Sequence, residues 1–184
     1  MPDFDLLKAK IPAILPEFNT FKDASIREKA LSCFAAAMRE GGWTCADLTE
    51  MPFTLLINPC PASFLTHTRA VTRTAVAIAA ALREMYADNP KMHADHDALL
   101  AGALLHDVGK MLEYARVDGV WKKSACGREL RHPGIGAALA REAGLPLYIQ
   151  HIVVAHSWEG DKDRHGVEAI IVHHADFVNF EPLH

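Results

Sequence analysis

The stretch Ala98–Leu105, ALLAGALL, carries no charge and runs directly into His106-Asp107. A run with no polar face predicts a helix buried on most of its sides. An aspartate attached to such a segment is costly unless its charge is compensated. The stretch therefore demands either a counter-charge nearby or a cation on Asp107, and the rest of the chain has to supply one of them.

The other segments read almost entirely as helix. Ser25 followed by Glu28 forms a capping-box pattern, and Ile26, Leu31, Phe34, Ala35 and Met38 give that helix one apolar face until Gly41-Gly42 stops it. Residues 52–61, with Pro52, Pro59 and Pro61, read as a connector. They divide an N-terminal helical attachment, residues 1–60, from a main body, residues 61–184. Ser63 suits the cap of a helix running to about Tyr86, whose stripe of Phe64, Val71, Ala75, Ile78 and Leu82 includes His67. The helix bearing ALLHDVGKM is expected from about Asp97 to Tyr114. Asp118-Gly119 is a hairpin-type turn signal, so a small β-ribbon near residues 115–124 joins an otherwise all-α chain. Pro133 fits the first position of a helix ending at Gly144. A short helix follows from about Pro146 to His156, and a last one from about Val167 to Phe180.

Charge and cysteine usage exclude several classes. A formal net charge of -4 over 184 residues supplies no basic field for a nucleic-acid polymer. The opening MPDFDLLKAK lacks the basic start and apolar core of a signal peptide, and no uncharged stretch approaches the ~18–20 residues of a membrane span. Cys33, Cys45, Cys60 and Cys126 are scattered without a CxxC pair, which predicts reduced thiols in a cytoplasmic protein.

Eleven histidines are the compositional outlier, and their positions matter more than their number. His67, the pair His106-Asp107, His132, His156 and Asp176 each fall on the inner side of a different helix or helix end. One alone would read as a satisfied core residue. Four histidines and two aspartates converging on one interior leave many unmatched polar groups unless a metal gathers them. Six groups exceed the four of a structural zinc site, and a carboxylate can bridge two cations where a histidine cannot. Neighbouring helical residues point about 100° apart, so His106 and Asp107 can reach one metal from two directions. Two cations about 3.5–4 Å apart can activate a shared water and hold a phosphate for attack.

The ordered pattern H…HD…H…H…D, at His67, His106-Asp107, His132, His156 and Asp176, resembles the HD-domain superfamily of metal-dependent phosphohydrolases over roughly residues 63–180. The extra pair His132 and His156, together with HDVGK at 106–110, is similar to its binuclear phosphodiesterase branch. The resemblance implies an HD-type helical bundle and two divalent ions (Fe, Mn, Ni, Zn or Mg), one held by His67, His106 and Asp176, the other by His132 and His156. Asp107 would bridge them and orient a bridging hydroxide. Lys110 would reach a phosphate oxygen. The implied substrate is a small phosphorylated molecule, with nucleotides among the candidates, and a homodimer is compatible with it. The GYP element that marks cyclic-dinucleotide phosphodiesterases is absent after the HD motif, which counts against cyclic-di-GMP as substrate.

Beside these ligands, Arg131 and Trp158 fall on loops where they could clamp a phosphate or stack on a ring. His173, three residues before Asp176, is a further candidate for contact with substrate or with a ligand. His174 reads as a core histidine, His151 as partly exposed, His93 and His96 as a surface pair, and His165 and His184 as loop and terminus. Two other functions fit the same ligand set: a diiron oxygenase acting on an organophosphonate or polyol, and a non-catalytic metal-stabilised binding module.

Overall fold

The computed structural model describes residues 3–183, so the first two residues of the opening segment and His184 lie outside it. The Asp3 carboxylate accepts from the Leu6 amide and opens α1 (Phe4–Ile14). Helix α2 (Ala24–Gly41) starts at Asp23, whose carboxylate accepts from the amides of Ser25 and Ile26. The expected cap at Ser25 is thus displaced by two residues. Asp23 is held from outside the helix, its own amide donating to Asp97, while Glu28 pairs with Lys8 of α1. Gly42, at φ 76°, closes α2 as expected. A short α3 (Cys45–Glu50) follows, capped by Thr44.

Ser63 accepts from the Thr66 amide and starts α4 (Phe64–Met85). Helix α5 is His96–Leu105, and all its residues from Asp97 onward are buried. It is shorter than the expected span to Tyr114. The ladder gives way to i→i+3 bonds, Val108 amide to Leu105 and Lys110 amide to Asp107, which tighten residues 106–109 into a turn before α6 (Lys110–Glu113). Strands β1 (Tyr114–Val117) and β2 (Val120–Lys123) pair antiparallel about the Asp118-Gly119 turn, where both residues have positive φ, 54° and 78°. The chain ends with α7 (Ala125–Glu129), α8 (His132–Glu142) with Pro133 in its first turn, α9 (Leu147–Ala155) and α10 (Val167–Val178).

Helix α5 is the axis of the bundle, with α2, α4, α9 and α10 packed around it. The N-terminal helices share this core: Phe18 meets Phe34 at 6.1 Å between ring centroids, and Phe34 meets Phe64 of α4 at 6.2 Å. Truncating a fully buried phenylalanine of this kind costs about 3–5 kcal/mol. Among the described residues no helix is long and apolar enough to cross a membrane. Among the described residues the fold is all-α apart from one hairpin.

Candidate metal centre

The turn after α5 delivers His106 and Asp107 to the bundle interior, where both are essentially inaccessible. Its position is set by main chain against main chain. A Cβ on Gly109 would stand 2.1 Å from the His132 carbonyl oxygen, so only glycine lets this turn meet the start of α8. His67 comes from the first turns of α4, His132 from the first residue of α8, His156 from the end of α9 and Asp176 from α10. All six side chains expected from the sequence converge.

Asp107 lies at their centre and divides its two oxygens. Oδ2 is 3.3 Å from His106 Nε2 and 3.5 Å from His67 Nε2, while Oδ1 is 3.2 Å from His132 Nε2 and 3.7 Å from His156 Nε2. Asp176 Oδ1 joins the first pair, 3.0 Å from His67 Nε2 and 3.8 Å from His106 Nε2. The two sets, His67–His106–Asp107 and Asp107–His132–His156, each offer three buried ligand atoms within 4.8 Å of one another, so each could hold a metal ion.

The hydrogen bonding around the rings fits metal ligation. His106 Nδ1 donates to the Ala103 carbonyl, His156 Nδ1 to the Val153 carbonyl, both at 2.7 Å, and His132 Nδ1 to Glu113 at 2.9 Å. Each bond makes Nδ1 a donor and turns Nε2 toward the centre, where the neutral ring would offer its lone pair to a metal. Asp107 Oδ1 has no hydrogen-bond partner although it is buried. An orphaned carboxylate oxygen facing such nitrogens is unfavourable by itself, and a cation resolves it.

Burial opposes ionisation of Asp107, yet Lys110 and His106 hold its carboxyl well below the usual range. Asp176 behaves alike, burial being outweighed by the His67 hydrogen bond and the charge of His106. Burial alone would lower His106, but Asp107 raises it. At His156 burial, then His106 and His132, outweigh the opposing pull of Asp176 and Asp107 and push it down to about 3, so its ring is neutral at ordinary pH.

His67, His132 and Asp176 of the centre form one wall of a cavity of about 160 Å³, also lined by Lys110, Arg131 and Trp158. Lys110 is buried, with Nζ 2.6 Å from Asp107 Oδ2 and donating to the Phe53 carbonyl at 2.7 Å. Arg131 pairs with Glu159 at 3.0 Å and lies over the Trp158 ring, 5.3 Å from its centroid. His173 is not among the lining residues; its Nδ1 donates to the His156 carbonyl at 2.7 Å, behind that candidate ligand. His174 is exposed rather than a core residue, and Ile170 and Val178, one turn to either side of it on α10, are exposed as well. Two important residues escaped the sequence reading. Phe53 stacks on His67 at 4.4 Å, and Glu113 accepts from both the amide and Nδ1 of His132. Phe53 sits in the proline-rich connector, where no periodicity marks it. The only signal for Glu113 was the general need of a ligating histidine for an acceptor at Nδ1.

A family model described as HD domain matches residues 64–178, the segment that carries all six candidate ligands. The dihydroneopterin 2',3'-cyclic phosphate phosphodiesterase of Methanocaldococcus jannaschii is 32% identical over 111 residues, 60% of this chain and 43% of that protein. The chain thus aligns with less than half of that relative's length. No solved structure matches the chain significantly. With the family model covering well over half of the sequence and the H…HD…H…H…D residues gathered at one buried centre, the chain belongs to the HD domain family.

Proposed function

We propose that the chain is a metal-dependent phosphohydrolase whose site holds two divalent ions and cleaves a small phosphodiester. The observation that carries this reading is the division of Asp107 between two histidine pairs, with its Oδ1 buried and unpaired. In it, His67, His106 and Asp176 would hold one ion and His132 and His156 the other, with Asp107 available to each. Such a pair of ions supplies an activated water and charge stabilisation at the phosphorus. The protein's own groups do the rest. Lys110 and Arg131 place positive charge on the cavity wall, where a phosphate oxygen gathers charge in the transition state. Phe53, Phe177, Phe180 and Trp158 give the same cavity an apolar, aromatic side suited to a flat heterocycle. A 2',3'-cyclic phosphate on a pterin or nucleoside joins these two halves, and the phosphodiesterase relative makes that class the first to test. His173, through the His156 carbonyl, supports a ligand instead of touching substrate.

The experiment is ester hydrolysis by the intact chain on cyclic and linear phosphodiesters and phosphomonoesters, with Mn, Fe, Ni, Mg or Zn added. Hydrolysis of one substrate class, lost in Asp107→Ala, is the expected result. No hydrolysis with any metal, accompanied by oxygen consumption with iron, would overturn it in favour of an oxygenase.

A further inference from the structure

The two halves of the centre obtain negative charge differently. Beside the shared Asp107, the His67–His106 half has Asp176 in direct contact. Among the described residues the His132–His156 half has no second carboxylate beside Asp107 in its candidate ligand set. Glu113 stands one hydrogen bond further out. Its residue is 2% exposed, and Oε2 accepts at 2.9 Å from both the His132 amide and His132 Nδ1. Lys123 of β2 approaches the other oxygen at 3.7 Å. The contact is built into the backbone as well. The Glu113 carbonyl accepts from the Ser124 amide, and a Cβ on Gly127 would stand 2.1 Å from that carbonyl oxygen, so the hairpin and α7 clamp the residue from which the carboxylate projects. His106 and His156, by contrast, donate to neutral backbone carbonyls.

We propose that Glu113 is the positioning carboxylate of the His132–His156 metal position. It fixes His132 as the Nδ1–H tautomer, aims Nε2 at the centre, and supplies through the ring the negative charge that Asp176 supplies directly to the other half. A carboxylate accepting from Nδ1–H makes the imidazole a stronger donor than a backbone carbonyl does, which compensates a half otherwise poorer in charge. This inference rests on the two-ion reading above.

The two parts of the role, hydrogen bonding and charge, separate in two variants. Both donors converge on one oxygen of Glu113, so in Glu113→Gln the amide oxygen takes that place, keeping the tautomer while removing the charge. Glu113→Ala removes both. Long-range ¹H–¹⁵N spectra of the metal-free protein read the His132 tautomer, and Mn²⁺ titration followed calorimetrically and by electron paramagnetic resonance reads the number and affinity of bound ions. In the wild type we expect the Nδ1–H form and two Mn²⁺ per chain. Glu113→Ala should lose the tautomer preference and weaken one of the two ions by about 10–100-fold, leaving the other unchanged. Glu113→Gln should keep the tautomer with a smaller loss at that same ion, and it remains readable if the alanine variant unfolds. Two ions of unchanged affinity in wild type and both variants would overturn the role of Glu113 alone. A single ion in the wild type would overturn it together with the two-ion reading.

Discussion

Two buried aspartates stand at opposite ends of α5, and they are satisfied in opposite ways. Asp97, 7% exposed, accepts from the amides of Lys22 at 3.0 Å and Asp23 at 2.6 Å and from the His96 ring at 2.8 Å. Its oxygens are met by donors that belong to the fold, and it pins the start of α2 to the start of α5. Asp107, 1% exposed, keeps Oδ2 against Lys110 and leaves Oδ1 with histidine nitrogens whose lone pairs face it. Burial is common to both, so it separates nothing. The division between structural and functional carboxylate lies in whether protein donors complete the shell.

The largest test of that contrast is catalytic. Asp107→Ala should lower hydrolysis of the best substrate by more than about 100-fold, beyond the effect of losing an outer hydrogen-bond partner of a ligand, whereas Asp97→Ala should keep wild-type turnover at a temperature where it is folded. Comparable losses in steady-state rate for both would erase the distinction. Metal linkage comes next. Saturating Mn²⁺ at about 100 times its Kd should raise unfolding free energy by about 2.7 kcal/mol per independent site in the wild type, with the gain absent in Asp107→Ala and intact in Asp97→Ala. Thermal unfolding with and without chelator reads this directly.

Asp97→Ala should then cost about 1–3 kcal/mol of metal-free stability, because it strands buried donors. Its acid dependence has a definite sign. Burial works against the Asp97 charge, but the Lys22 amide, His96 and the Asp23 amide outweigh it and hold the carboxyl below its ordinary value. A depressed folded pKa stabilises the protein above the unfolded value of about 4, and that contribution is lost as pH falls through the depressed value. Denaturant unfolding of Asp97→Asn should therefore show a flatter acid limb; an unchanged slope would sink this account. The smallest effect belongs to the rim. Trp158→Ala should raise KM about two- to fivefold with kcat nearly unchanged, the scale of an exposed cation–π contact, and a fall in kcat alone would place Trp158 elsewhere in the cycle.

The convergence of the candidate ligands His67 and His156 was legible because each lies on an apolar stripe whose period fixes its direction: His67 among Phe64, Val71 and Ala75, and His156 after Ile152 and Val153. Turn chemistry was equally local, so Ser63, Asp118-Gly119 and Pro133 act where their types suggest. What was not legible depends on contacts distant in sequence. Asp23 caps α2 instead of Ser25 because Asp97, 74 residues away, holds its amide. Lys110 lies on the side of Asp107 as its spacing suggests, but its second partner is a carbonyl of the connector at Phe53. The early end of α5 reflects the close passage of Gly109 under α8, a tertiary fact with no helical period.

That passage bears on how closely such a centre can be held to dimension. Side chains hop between rotamers, and a gap set by them would wander. Here the turn carrying His106 and Asp107 rests against the first carbonyl of α8, the residue that carries His132. The chain acts as a mechanical stop: the span between the two histidine pairs is machined into the backbone, and one added methyl at position 109 is enough to reset it.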